Sequence, residues 1–185
     1  MAIERRLYTV EEFEAYADAP ENQHRLLELI DGEIREKMPT EQHGYYAGNI
    51  FGHLWNFVNQ HKLGRVAIEV RHRKPDDKQN ALIPDVSFNS AKRPLVAKGS
   101  VPELPDLVVE VKSPDDNLKD LRDKMRYYIA NGVKIGWLVI PEKRLIEVYT
   151  TEREDVLTEN DTLTGGDVLP GFTLPVRDVF ADPMA

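Results

Sequence analysis

The chain has 185 residues, 41% hydrophobic and 30% charged, with 24 Lys and Arg against 32 Asp and Glu for a net charge of −8. These values fit one globular domain, 1–185, able to bury a core, and they exclude a disordered or membrane-embedded chain, since no apolar run nears the roughly 20 residues of a span. The absence of cysteine excludes disulfides and thiolate metal sites and fits a reducing, cytoplasmic setting.

Residues 1–6 lead into a polar helix and hold no apolar signal core. Thr9 with Glu12 three positions on is a capping box, opening a helix to about Asp18 that Pro20 ends. Residues 25–30 and 33–38 flank Asp31-Gly32, a hairpin signal that sets Glu28 opposite Arg35. Pro39-Thr40 opens a helix to about His61, apolar at Tyr46, Ile50, Leu54, Phe57 and Val58, with Gly64 as its stop. Strands are predicted over 65–73 and 81–88, then over 107–112 after a proline-rich loop. Ser113 as cap and Pro114 at the first helical position predict a helix over 114–130, with Leu118, Leu121, Met125, Tyr128 and Ile129 turned inward. Residues 135–140 and 144–149 read as a strand pair across Pro141-Glu142-Lys143, and a more polar last third ends in the apolar stretch 176–180. Strand, helix and strand over 107–140 form a βαβ unit. The expected architecture is α/β, a mixed sheet flanked by helices with an N-terminal helix and β-hairpin.

The chemistry concentrates where Leu107-Val108-Val109 runs into Glu110-Val111-Lys112. Alternation puts Glu110 and Lys112 on one face of the strand, and buried charges persist only when paired or bound to a metal. Pro84-Asp85 closes another apolar run, Ala81-Leu82-Ile83. Phosphodiester hydrolysis needs a positioned water and neutralisation of the transition-state charge, which one or two Mg²⁺ ions held by carboxylates can supply. Asp85 and Glu110 are the expected metal ligands, the Val111 carbonyl a third, and Lys112 the group that orients the attacking water. Asp106 lies four residues before Glu110, about 13 Å along a strand, too far to grip the same ion. Asp115 and Asp116 suit a helix N-terminus. Plainer readings stand beside these: a Glu110–Lys112 ion pair, a turn at Asp85, a cross-strand Glu28–Arg35 pair, and for His43, which near its helix start could border the site, a surface role. The cations Lys62, Arg65, Arg71, Arg73, Lys74 and Lys78 form either a solvated face or a nucleic-acid track, and the overall acidity counts against the second.

The hairpin Glu28-Leu29-Ile30-Asp31-Gly32-Glu33, Pro84-Asp85-Val86, the run from Leu107 to Pro114, Lys124 with Tyr128 before Gly132-Val133, Trp137-Leu138-Val139 and Leu169-Pro170-Gly171-Phe172 together resemble the Uma-two family. That family is grouped with the endonucleases of the PD-(D/E)XK, restriction-endonuclease-like superfamily, and the resemblance spans about residues 7 to 180. It implies a restriction-endonuclease-like core, Mg²⁺ or Mn²⁺ as cofactor, and cleavage of nucleic acid, with DNA the expected substrate. Asp85, Glu110 and Lys112 match the superfamily triad. Glu28 matches an acid that lines such sites, and Lys124 a helix lysine that assists or replaces Lys112. A homodimer is a further expectation from the resemblance. Two other functions fit the residues: a catalytically silent nucleic-acid-binding or assembly domain, and a hydrolase of smaller phosphate esters.

Overall fold

The computed structural model describes residues 6–90, 92, 94–182 and 184. The expectation about residues 1–5 lies outside them. The chain divides into two compact units, one of 1–38, 69–83 and 93–104, the other of 39–68, 84–92 and 105–185.

The first unit holds α1 (Val10–Ala17), β1 (Leu26–Ile30) and β2 (Glu33–Lys37). The capping box forms as expected: Glu12 N–H donates to Thr9 Oγ1 at 3.2 Å and Thr9 N–H to Glu12 Oε2 at 3.0 Å. Asp31 and Gly32 both take positive φ, so the hairpin closes in two residues and Glu28 pairs with Arg35. Val10, Phe13 and Ala17 pack on Leu27, Leu29 and Ala81, with the Arg71 guanidinium over the Phe13 ring.

The second unit contains α2 (Glu41–His61), β3 (Arg65–Ile68), β4 (Val86–Asn89), β5 (Leu107–Val111), α3 (Leu118–Ala130), β6 (Ile135–Ile140), β7 (Leu145–Thr150), β8 (Glu154–Leu157), β9 (Thr162–Gly165), β10 (Leu169–Pro175) and α4 (Val176–Val179). Strands β3 to β8 form one six-stranded sheet in chain order. Only β5 and β6 run parallel, joined by α3; the other neighbours are antiparallel hairpins or returns, so the sheet is mixed. Its two faces differ in character. Val86, Phe88, Leu107, Val109, Val111, Ile135, Trp137 and Val139 join Ile50, Leu54 and Val58 of α2 and the β9–β10 hairpin in one apolar core. By alternation, Val108, Glu110, Gly136, Leu138, Glu147 and Tyr149 belong to the opposite face, where α3 packs on β6 and β7. Gly136 matters there, because a Cβ at that position would run into the Met125 methyl.

Several boundaries differ from expectation for local reasons. The 65–73 strand stops at Ile68, since Glu69 takes φ 52° and turns the chain. The 81–88 strand is interrupted at Pro84, which has no N–H for a ladder; Ala81 and Leu82 instead make isolated bridges to Leu29 and His72. Helix α2 ends with Lys62 in the left-handed region, so Gly64 is not its stop; Gly64 is where the chain passes too close to Asn89 and Phe88 for a Cβ. Helix α3 starts late. Asp116 Oδ2 accepts from Ser113 N–H at 2.7 Å, closing a turn over 113–116, and Asn117 is the cap, accepting from Lys119 N–H at 2.9 Å. In the last third, Pro170-Gly171 lies within β10, at a register shift against β9.

Candidate active site

Asp85 sits one residue before β4, and the last β4–β5 pair is Val86 with Val109. Its N–H donates to the Val109 carbonyl at 3.0 Å, and its Oδ2 accepts from Val111 N–H at 2.6 Å. Asp85 is thus bonded to the residues on either side of Glu110. In an extended residue the N–H and C=O point the same way, which puts the Val111 carbonyl on the Asp85 side of β5. Both acids are buried, Asp85 at 3% and Glu110 at 2% exposure.

Glu110 Oε1 meets two groups from α3: the Lys124 ammonium at 2.9 Å and the Tyr128 hydroxyl at 3.1 Å. Lys124 and Tyr128 are four apart and share a helix face, and Lys124 is buried with its acid. A carboxylate and an ammonium withdrawn from water together compensate each other, where either alone would be very costly. Lys112 lies elsewhere. Its Nζ donates to the Ser113 carbonyl at 3.0 Å and pairs with Glu142, in the turn after β6, at 3.2 Å. The cation seen against Glu110 is the helix lysine, whereas the Glu-X-Lys lysine is engaged by another acid.

His43 was read as a surface histidine, with a place bordering the active site as the alternative. It is buried, because its position in the first turn of α2 aims the ring at Asp85, with Nε2 3.0 Å from Oδ2. One signal was available: Thr40 caps α2 by accepting from His43 N–H, which fixes the residue in the helix's first turn. Tyr128 was read simply as core, and nothing in the periodicity marks its hydroxyl. Glu28, in the first unit, is buried at 5% and its Oε2 accepts from Ile83 N–H at 3.0 Å. Asp106 is structural, as its spacing suggested: burial opposes its charge, but bonds from Lys134 and Ser90 leave its pKa below the ordinary value. The cations of the 71–78 stretch are locally offset, Arg73 by Glu14, Lys74 by Asp76 and Lys78 by Glu11. They do not form an uncompensated track.

Two carboxylates and a backbone carbonyl are hard oxygen donors, the set that Mg²⁺ or Mn²⁺ accepts while keeping several waters. A carboxylate has about four acceptor positions, so hydrogen bonds at one oxygen do not preclude coordination. Among the described residues no group of three or more His, Cys, Asp and Glu side chains is arranged to hold a metal ion. A metal here would rely on the two acids, the carbonyl and water.

Residues 10–177 match the family described as "Putative restriction endonuclease". The chain belongs to this family, Uma2. Its fold is also that of a crystal structure titled as a putative nuclease belonging to DUF820 from Anabaena variabilis: TM-score 0.77, 22% identity, covering 93% of this chain and 97% of the other. No curated protein matches. The family match takes in Asp85, Glu110, Lys112 and Lys124, and runs through both compact units. No helix among the described residues is long and apolar enough to cross a membrane.

Proposed function

We propose that the protein is a divalent-metal-dependent nuclease that hydrolyses phosphodiester bonds of DNA. Asp85, Glu110 and the Val111 carbonyl hold Mg²⁺ or Mn²⁺, and Lys124 is the principal site ammonium. The observation that carries this reading is the bracketing of Glu110 by Asp85 just before the neighbouring strand, with Lys124 and Tyr128 on Glu110 from α3. Family membership supports the nuclease class.

The bound cation would supply charge neutralisation at the phosphate and polarisation of the attacking water. The residues do the rest. Val111 N–H holds the Asp85 carboxylate against the end of the sheet. Tyr128 and Lys124 fix the direction of the Glu110 side chain, so the acids meet an incoming group already oriented. The Lys124 ammonium is placed to hold a water by hydrogen bonding and to stabilise negative charge growing on the phosphate. Lys112 serves the site only if its contact with Glu142 opens. Glu28, matching a site-lining acid of the superfamily, is assigned a supporting role, and two copies of the chain would serve the two strands of a duplex in a cytoplasmic setting.

The test is cleavage of supercoiled plasmid in Mg²⁺ or Mn²⁺, with and without chelator, by wild type and Asp85→Ala. Activity that survives the substitution or the chelator sinks the assignment. The Lys112–Glu142 pair favours a second reading, a nuclease fold that binds nucleic acid without cutting it. Salt-dependent DNA binding with no divalent-dependent turnover would select it.

A further inference from the structure

We propose that His43 is a positioning residue for Asp85, its Nε2–H clamping Oδ2 and so fixing the plane of the carboxylate that would meet the metal. The inference rests on the metal-site reading above. Two donors converge on Oδ2 from different elements: Val111 N–H from β5 at 2.6 Å and His43 Nε2 from α2 at 3.0 Å. An ionised carboxylate only accepts hydrogen bonds, so the imidazole must carry a proton on Nε2 in this contact. The side chains are 6% and 2% exposed, so water does not compete for the bond.

The two donors restrain different motions. The strand amide lies in the sheet and fixes the distance of Oδ2 from β5. The imidazole comes from a helix anchored by Thr40 and by the apolar stripe of Ile50, Leu54 and Val58, and it fixes rotation of the carboxylate about its own axis. With Oδ2 taken at two points, the plane of the carboxylate is set before a cation arrives. Hydrogen-bond partners of ligating carboxylates commonly alter metal affinity by about 10–100-fold when removed.

The experiment is Mn²⁺ titration by calorimetry on wild type, Asp85→Ala, His43→Leu and His43→Gln, with thermal melting of each. The glutamine amide keeps an N–H donor, whereas leucine fills the space without one. Expected are Mn²⁺ binding by wild type that Asp85→Ala abolishes, about tenfold or greater weakening in His43→Leu, and substantial recovery in His43→Gln. In a cleavage assay His43→Leu then needs more metal for half-maximal rate, with KM for DNA unchanged. Wild-type protein that binds no Mn²⁺ overturns both the metal site and this inference. Asp85-dependent binding that is as tight in His43→Leu overturns the inference alone. So does equal weakening in His43→Leu and His43→Gln that tracks a lower melting temperature, the signature of a packing role.

Discussion

Glu110 and Glu147 stand in the same row of the sheet, each opposite Leu138 in register, and both are held by a cation of α3 and a tyrosine hydroxyl. Their environments nevertheless separate them. Arg122 engages both oxygens of Glu147 through Nε, with Nη2 adding a further bond to Oε1, and Tyr149 donates to Oε2 at 2.7 Å. The planar fork occupies the carboxylate from end to end, and the Arg122 bond together with Tyr149 holds the Glu147 pKa below its ordinary value, against the effect of burial. Burial and the same acid push the Tyr149 hydroxyl upward. At Glu110 the cation is a lysine, a point charge, and it shares Oε1 with Tyr128. An arginine grips an acid through a planar fork, whereas a lysine meets it as a single point charge. Under the proposed function Glu110 serves the metal site, while Glu147 is tied to the fold by its arginine.

The sharpest way to break this contrast is to neutralise each acid. Glu110→Gln should lower divalent-dependent cleavage by ~10²–10⁴-fold, while Glu147→Gln stays within about tenfold, read as initial rates at equal folded protein. Equal losses would erase the distinction. The two lysines come next: Lys124→Ala should cost on the order of 10²-fold, and Lys112→Ala clearly less, because Lys112 is spent on Glu142. A larger loss at Lys112 would restore it as the site lysine.

Stability should show the reverse pattern. Arg122→Leu leaves the Glu147 carboxylate buried without its main partner and should destabilise by about 1–3 kcal/mol in urea unfolding, the lower end being expected because the guanidinium side chain is 39% exposed. The smallest effect is the pH dependence. Glu147 has a folded-state pKa below its unfolded value of 4.5, so its contribution is present above pH 4.5 and fades as pH falls through the folded pKa. Melting temperatures of wild type and Arg122→Leu should therefore differ most near neutral pH and converge as pH falls below 4.5 through the folded pKa. A constant difference would mean that charge is not what the pair contributes.

Much of the fold was legible because its signals are local. Thr9-x-x-Glu12 and Asp31-Gly32 specify their own geometry within a few residues, and the period of the α2 stripe needs only the helix itself. The β5–α3–β6 unit follows from an apolar strand at each end of an amphipathic helix. Asp85 and Glu110 could be singled out because an acid ending an apolar strand is a costly choice that asks for a reason. What stayed hidden depends on contacts across tens of residues. Nothing near Lys112 announces Glu142 as its partner, and nothing near His43 announces Asp85, 42 positions later. The start of α3 was misjudged for a smaller cause: Asp116 serves Ser113 rather than the helix, and Pro114 looks the same in a turn as in a first helical turn.

The lack of a side chain at residue 136 has a mechanical corollary. The Met125 terminus settles where a methyl group would otherwise stand, and Lys124 and Tyr128 ride on the same rigid rod, one position before and three after. Adding a single carbon to the floor beneath that rod would displace the pliable thioether end of Met125 first, so the close seat of helix on sheet rests on an empty spot in the strand filled by an adaptable side chain.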